Sequence, residues 1–193
     1  MKSFVEAAVL VLCHTLEGVD SLVFNKRTEH VEHHKGQICF PGGMRDRKDA
    51  TLWETALRET HEELGLEPER VTFIRELEKR PTPTGFIVTP FLGVVEGPVV
   101  WKPNAREIDE IFSVPLSHFS DPSCVRFETH EWEGREHLMP FYSYKNHVIW
   151  GLTGKIVYDL VGNAQKNPQF QNEISLTSPY FSEMLVPRHI KSA

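Results

Sequence analysis

The stretch of residues 51–64 constrains the fold more than any other segment, because it combines a helical apolar stripe with a cluster of carboxylates. The stripe occupies positions i, i+3, i+4, i+7 and i+11, which are Trp53, Ala56, Leu57, Thr60 and Leu64. This spacing matches the period of a helix that packs one face on a core. Thr51-x-x-Glu54 is typical of a capping box, and Gly65 is typical of a residue that ends a helix. The sequence therefore predicts a helix over residues 51–64.

Three carboxylates lie on a second face of this predicted helix, about 120° from the apolar stripe. They belong to Glu59, Glu62 and Glu63, at i, i+3 and i+4. One interpretation is a solvated acidic face, since glutamate is a good helix former. The other is a site for a hard cation such as Mg²⁺, which prefers oxygen ligands. The preceding Gly42-Gly43 pair favours the cation site, because the short polar loop after it brings backbone carbonyls and further acids near the same face.

Composition argues against several classes of protein. The 193 residues include 21 Lys and Arg against 27 Asp and Glu, and the net charge of −6 has the wrong sign for binding a nucleic-acid backbone or an anionic membrane. Three widely separated cysteines fit neither a disulfide framework nor a zinc site and favour a cytoplasmic location. The apolar run of residues 7–13 is far shorter than the roughly 20 residues of a membrane helix. We interpret it as a buried strand.

The remaining pattern predicts an α/β fold, with a mixed sheet and helices on both of its faces. Six runs rich in Val, Ile, Phe and Tyr predict strands, at residues 6–13, 21–26, 70–77, 86–95, 124–129 and 138–144. A second helix is predicted over residues 152–165, and a shorter helical turn over residues 107–112. We expect residues 1–165 to form a single domain. Residues 166–193 are predicted to be an extension packed on that domain or on a partner subunit, with a floppy tail as the alternative.

Residues 43–66 resemble the Nudix box, G-x5-E-x7-R-E-U-x-E-E-x-G-U, in which U is bulky and aliphatic. The Arg-Glu-x-x-Glu-Glu-x-Gly core is complete from Arg58 to Gly65. The loop between Gly43 and Arg58 is one residue longer than the general pattern, Asp49 replaces the first acid, and Thr60 replaces an aliphatic residue. The first two departures also occur in the coenzyme A pyrophosphatase branch of the family. The resemblance implies the Nudix fold, an α/β/α sandwich around a mixed sheet.

For the site, the resemblance implies that Glu59, Glu62 and Glu63 bind the catalytic Mg²⁺ or Mn²⁺, with the carbonyl of Gly43 as a further ligand. Arg58 would hold a carboxylate through a bidentate pair, and its alternative is an exposed cation on a helix. The base that accepts a proton from the attacking water stays open among three candidates, which are Glu62, Glu107 and Glu110. For the last two, the alternative is a solvated helical turn.

Residues 23–43 resemble the motif that marks coenzyme A pyrophosphatases, L-L-T-x-R-S-x3-R-x3-G-x3-F-P-G-G. Arg27, Gly36 and the Phe-Pro-Gly-Gly run match it. Glu32 replaces the second arginine and reverses a charge beside a ligand that should be anionic, although His33, His34 and Lys35 give positive character nearby. We interpret four residues as substrate-binding, namely Arg27, Lys35, Phe40 and Phe86.

These resemblances predict a metal-dependent pyrophosphohydrolase that cleaves the diphosphate of coenzyme A or its thioesters to 3′,5′-ADP and (acyl-)4′-phosphopantetheine. Because of Glu32, a Nudix hydrolase of another nucleoside diphosphate derivative, such as ADP-ribose or NADH, is a second hypothesis. A third is a non-catalytic Nudix module that binds a nucleotide or a protein. The predicted partner is a small-molecule nucleotide substrate, with no nucleic acid and no membrane, and a homodimer is a further expectation.

Overall fold

The computed structural model describes residues 4–30, 35–132 and 134–166. Within this part of the chain there are two α-helices, α1 (Leu52–Leu64) and α2 (Gly151–Lys166). The strands are β1 (Val5–Leu16), β2 (Val19–Arg27), β3 (Ile38–Cys39), β4 (Gly42–Met44), β5 (Thr72–Glu76), β6 (Arg80–Pro81), β7 (Phe86–Glu96), β8 (Ile108–Pro115), β9 (Val125–Trp132), β10 (Arg135–Tyr144) and β11 (His147–Ile149). Short 3₁₀ helices cover Pro68–Arg70, Leu116–Ser120 and Pro122–Cys124.

Eight of the strands form a mixed sheet around a parallel central pair, β1 and β7. The strand order is β3-β2-β1-β7-β5, while β4 pairs with β1, β6 with β7 and β8 with β2. A second, antiparallel sheet has the order β11-β10-β9. In the first half of β1, Ala8 lies opposite Gly43 of β4, whereas β2 pairs with the second half. The glycine pair is therefore held against the central strand.

The helices cover opposite faces of the large sheet, as the alternation along β1 shows. Leu10 and Leu12 pack in one buried cluster with Leu64 of α1. Val11 packs in the other cluster with Val157 of α2. All five side chains are fully buried, and successive residues of a strand point to opposite faces. The predicted mixed sheet with helices on both faces is confirmed.

The prediction for residues 51–64 is confirmed, including both helix ends. The Thr51 hydroxyl accepts a hydrogen bond from the Glu54 N–H at 3.1 Å. Gly65 ends the helix with a φ of 69°, in the left-handed region that glycine adopts without strain. Thr60 is buried in the apolar stripe, and its hydroxyl donates to the Ala56 carbonyl at 2.7 Å. Its polar group is thereby satisfied inside the helix.

The helical turn predicted over residues 107–112 is wrong, because this segment enters strand β8. The spacing of Ile108, Ile111 and Phe112 suits one face of a helix, but β8 instead pairs antiparallel with β2. Ile111 then packs toward the α1 side of the sheet and Phe112 toward the α2 side. The long-range pairing with β2 overrides the local period.

Some predictions fall outside the described residues. These are Glu32, His33 and His34 in the first gap, and residues 167–193 of the predicted extension. The single domain over residues 1–165 also stays a prediction. No helix in the described ranges is both long and apolar enough to cross a bilayer.

Candidate active site

The Glu63 carboxylate is enclosed between α1 and the sheet, and its side chain is only 3% exposed. Arg27 Nη1 donates to its Oε1 at 3.2 Å. Its Oε2 accepts from Asn25 Nδ2 at 2.8 Å and from the Gly42 N–H at 3.2 Å. Strands β2 and β4 thus converge on one acid of the helix, which joins the glycine pair to the predicted cation face.

Burial gives the acids of this face unusual pKa values. It raises the pKa of Glu63 to about 7, while the hydrogen bond from Gly42 and the charge of Arg27 act in the opposite direction. Burial also raises the pKa of Glu59, against the charge of Arg58. The ionised forms of both acids are therefore costly in the free protein, and a nearby cation would stabilise them.

Glu59 lies directly against the backbone of Gly43. A Cβ atom at position 43 would meet the carboxyl carbon of Glu59 at 2.5 Å, closer than real Cβ contacts. Only glycine fits this position without displacing the acid. The Gly43 main chain and the Glu59 carboxylate are therefore adjacent, as expected if both bind one cation.

Arg58 lies among the carboxylates, with a side chain 28% exposed. It forms a two-bond fork with Asp49, while its Nη1 donates to Glu59 at 2.9 Å and to Glu62 at 3.2 Å. The hydrogen bonds from Arg58 lower the pKa of Asp49 to about 2. An exposed cation on a helix, the alternative interpretation of Arg58, would not hold three carboxylates at once, so the structure favours a residue that positions acids. Glu62 is the most exposed of the three acids of the predicted cation face, at 55%, against 19% for Glu59 and 3% for Glu63.

Glu107 lies close to the acids of α1. Its charge contributes to the raised pKa values of Glu59 and Glu63. Its position is set by Asn104, whose Nδ2 donates to Glu107 Oε1 at 3.2 Å and whose backbone N–H donates to the Glu63 carbonyl at 2.9 Å. The loop before β8 is thus fastened to the end of α1.

Glu110, in contrast, points to the opposite face of the sheet. It lies opposite Lys26 in the pairing of β8 with β2. Lys26 stands between Asn25 and Arg27, which both reach Glu63, so Lys26 and its partner face away from that acid. The Glu110 carboxylate is bonded to His147 Nε2 at 2.9 Å. The structure thus brings Glu107, but not Glu110, to the predicted cation face.

The predicted substrate-binding residues have different surroundings. Phe40 was predicted to bind substrate, but its side chain is 2% exposed and stacks on Phe24 with ring centroids 4.8 Å apart, so the ring packs in the core. The Arg27 guanidinium is bound to Glu63. Lys35 is exposed in a turn, and Phe86 is half-buried at the start of β7. Within the described part of the chain, the hydrogen bonds of Glu59, Glu62 and Glu63 come from other residues, so Lys35 and Phe86 stay predictions.

The donor set fits a hard divalent cation, although no three His, Cys, Asp or Glu side chains of the described residues are already grouped around one ion position. Arg27 and Arg58 supply the positive charge beside the acids instead. Carboxylate and carbonyl oxygens are the ligands that Mg²⁺ and Mn²⁺ accept, and Mg²⁺ needs only one or two carboxylates besides water and phosphate. Glu59 and the adjacent backbone of Gly43 offer such oxygens.

Sequence reasoning missed Asn25 and Cys39. Asn25 is fully buried, and its Oδ1 accepts a hydrogen bond from the Cys39 thiol at 2.8 Å. Burial raises the pKa of Cys39 to about 12, and the charge of Glu63 adds to this, so the sulfur keeps its proton at neutral pH. The one available signal was a polar residue after the apolar run of residues 22–24.

Comparison with known proteins agrees with this geometry. Residues 6–136 match the NUDIX domain, and the chain belongs to the Nudix hydrolases, a family that acts on diphosphate bonds and generally uses divalent metal ions. The chain is 34% identical over 145 residues to the uncharacterised Nudix hydrolase NudL of Photorhabdus laumondii, covering 75% of this chain and 78% of that protein. It is 35% identical over 141 residues to the mouse peroxisomal coenzyme A diphosphatase NUDT7, covering 70% of this chain and 60% of the mouse protein.

Solved structures show the same fold. The Nudix hydrolase RenU from M. smegmatis superposes with a TM-score of 0.51 at 26% identity, over 60% of this chain and 73% of that one. A C. elegans Ap4A hydrolase superposes with a TM-score of 0.50 at 21% identity, over 57% and 80% of the two chains. The Nudix fold predicted from the sequence is confirmed.

Proposed function

We propose that this Nudix hydrolase cleaves the diphosphate of coenzyme A or its thioesters, with Mg²⁺ or Mn²⁺, to 3′,5′-ADP and (acyl-)4′-phosphopantetheine. The observation that carries the proposal is the contact of the α1 acids with the glycine pair, in a chain that resembles the coenzyme A motif over residues 23–43. Glu59 lies against Gly43, and Glu63 accepts a hydrogen bond from the Gly42 N–H. The name of the mouse relative supports the same substrate.

The chain's own residues supply the cation site and the base. Glu59, Glu62, Glu63 and the Gly43 carbonyl would hold the divalent ion, which when bound neutralises the charge of the diphosphate and lowers the pKa of the attacking water. Arg58 holds Glu59 and Glu62 in place. Glu107 is the acid outside α1 whose charge raises the pKa of both Glu59 and Glu63. We therefore assign Glu107 as the base that accepts a proton from the attacking water.

The reaction balances with one water molecule. The water oxygen forms a bond to one phosphorus, and the bridging P–O bond of the anhydride breaks. Each product therefore keeps one phosphate of the cleaved diphosphate. One proton of the water passes to the base, and the other stays on the oxygen that is now bound to phosphorus.

A second candidate is hydrolysis of another nucleoside diphosphate derivative, such as ADP-ribose or NADH. Glu32 favours it, because a negative charge replaces an arginine of the coenzyme A motif. A module without catalysis, binding a nucleotide or a protein, is less consistent with the chain, because all three glutamates of the Nudix box are present.

A substrate panel separates these functions. The protein is incubated with Mg²⁺ or Mn²⁺ and coenzyme A, acyl-coenzyme A, ADP-ribose, NADH or dinucleoside polyphosphates, and the products are resolved. We expect 3′,5′-ADP from coenzyme A as the fastest product. Much faster cleavage of ADP-ribose or NADH would favour the second candidate, and no turnover of any compound would favour the binding module.

Two further parts of the proposal concern the cellular location of the protein and its oligomeric state. The separated cysteines favour the cytoplasm, whereas the mouse relative is named as peroxisomal. Microscopy of a tagged full-length chain distinguishes the two locations. A homodimer is tested by the mass of the chain in solution, measured by light scattering.

A further inference from the structure

The Glu63 carboxylate receives donors of two kinds. Arg27 brings a full positive charge to Oε1, whereas Asn25 brings a neutral amide N–H to Oε2. The Asn25 contact is the shorter, at 2.8 Å against 3.2 Å. A neutral donor orients a carboxylate without cancelling its charge, so the Asn25 contact, unlike the Arg27 contact, does not reduce the attraction of Glu63 for a cation.

The orientation of the Asn25 amide is itself fixed. The ionised carboxylate that would bind a cation only accepts hydrogen bonds, so the NH₂ end of the amide must face Glu63 and the carbonyl end must face away. That carbonyl meets the Cys39 thiol at 2.8 Å. Asn25 and Cys39 are direct partners in the pairing of β2 with β3, so the backbone register brings them together.

A buried polar side chain with both ends satisfied has little freedom to rotate. Asn25 is 0% exposed, and a flipped amide would place its oxygen against the Glu63 carboxylate. The thiol of Cys39 favours the orientation in which the amide donates to Glu63. The three groups form a chain of two hydrogen bonds, in which the Cys39 thiol donates to the Asn25 amide and the amide donates to Glu63 Oε2.

We propose that Asn25 is a positioning residue that fixes the Glu63 carboxylate for binding of the catalytic cation, and that the Cys39 thiol in turn orients Asn25. This proposal rests on the proposed function, in which Glu63 is a metal ligand. The alternative is a buried hydrogen bond that stabilises the fold and has no effect on metal binding.

The test measures Mn²⁺ affinity of the substrate-free protein by electron paramagnetic resonance, together with kcat and KM for the substrate that the panel identifies. Asn25→Leu removes both polar ends at similar volume. Mutation of a residue that hydrogen-bonds to a metal ligand typically changes metal affinity or activity by about 10–100-fold. We therefore expect Asn25→Leu to weaken Mn²⁺ binding and lower kcat by at least about 10-fold, with KM changed by less than about 3-fold.

The Cys39 variants test the orienting step. Cys39→Ala removes the donor to Asn25, whereas Cys39→Ser keeps a donor. We expect Cys39→Ala to weaken Mn²⁺ binding by roughly 3–10-fold and Cys39→Ser to restore most of the loss. Cys13→Ala is the control, because it removes the thiol of a fully buried core cysteine whereas the only hydrogen bond of Asn25 from a thiol comes from Cys39 in the described residues. It should lower the thermal midpoint and leave Mn²⁺ affinity unchanged.

Failure of the inference and failure of the proposed function give different results. If Glu63→Gln loses Mn²⁺ affinity while folded Asn25→Leu keeps the affinity and kcat of the parent protein, the positioning role is overturned and the function stands. If the parent protein binds no Mn²⁺, the proposed function fails and the positioning role with it. Should Asn25→Leu not fold, equal Mn²⁺ affinities of Cys39→Ala and Cys39→Ser would overturn the proposal.

Discussion

The Arg58 guanidinium donates two parallel hydrogen bonds to the Asp49 carboxylate, from Nε to Oδ1 and from Nη2 to Oδ2, both at 3.0 Å. Asp49 lies in the loop before α1, and its side chain is 5% exposed. Thr55 also donates to Asp49 Oδ2 at 2.9 Å. Because two of its nitrogens are engaged in this fork, the guanidinium directs Nη1 at Glu59. Asp49 therefore positions an acid of α1 through Arg58.

Arg58→Lys is expected to lower kcat by about 10–100-fold while the protein stays folded. Lysine keeps the charge but cannot bind Asp49 as a fork and reach Glu59 at the same time. Steady-state kinetics check this result. Arg70→Lys is the control, because its guanidinium donates to two backbone carbonyls at the surface, and it should change kcat by less than about 3-fold. A normal rate in Arg58→Lys would show that the fork has no role in positioning.

Asp49→Asn is expected to lower the free energy of unfolding by about 1–3 kcal/mol near neutral pH, because the charged partner of Arg58 is lost. The folded-state pKa of Asp49 is about 2, below its ordinary value of 3.8, so its ionised form stabilises the fold above about pH 4. This contribution is lost as the pH falls from about 4 toward 2. Urea unfolding of both proteins should therefore show a difference that shrinks over this range.

Asp109→Asn is the control for that experiment, because it removes an exposed carboxylate paired with Lys26. Such a pair is typically worth about 0–1 kcal/mol. If the difference between Asp49→Asn and the parent protein stayed constant down to about pH 2, the ion pair with Arg58 would not be its cause.

The first helix was predictable because its signals are local. The cap at Thr51, the apolar stripe and the stop at Gly65 all lie within one segment, and the structure has each in its expected place. The central strands were also predictable, since β1 and β7 are runs of apolar residues that the sheet buries on both faces.

Contacts between distant segments were not predictable from one sequence. Asn25 reaches Glu63 over 38 residues, and nothing local to either residue specifies the other. The error over residues 107–112 has the same origin, since the spacing of Ile108, Ile111 and Phe112 suits a helix until β2 supplies a pairing edge. The same pairing turns Glu110 away from Glu63, whereas the sequence had left Glu107 and Glu110 as equal candidates for the base that accepts a proton from the water.

Gly43→Ala is expected to lower kcat by at least about 10-fold and to weaken Mn²⁺ binding, because the new Cβ would displace the Glu59 carboxylate. Gly162→Ala in α2 is the matched control, since a Cβ there meets nothing within 4 Å. Kinetics and Mn²⁺ titration of the two variants measure the effect. Equal behaviour of the two would mean that the contact between Gly43 and Glu59 does not form part of the cation site.

Glu62→Gln and Glu63→Gln are each expected to lower kcat by at least about 10²-fold without loss of the fold. Glutamine keeps the size of the side chain but removes the charge that attracts the cation. Glu67→Gln, an exposed acid beside the same helix end, should keep the rate of the parent protein. Near-normal rates in both Glu62→Gln and Glu63→Gln would show that this face of α1 is not the metal site.

Glu107→Gln and Glu110→Gln together test which acid accepts the proton of the attacking water. Loss of a general base typically lowers the rate by about 10²–10⁴-fold, so we expect a fall of at least about 10²-fold in kcat for Glu107→Gln. Glu110 is bonded to His147 on the other face of the sheet, so Glu110→Gln should stay within about 3-fold of the parent rate. Both variants exchange a carboxylate for an amide of the same size, and unfolding midpoints confirm that both are folded. A large loss in Glu110→Gln alone would reverse the assignment. Parent rates in both variants would instead leave Glu62 as the base, because it is the remaining candidate and its side chain is 55% exposed.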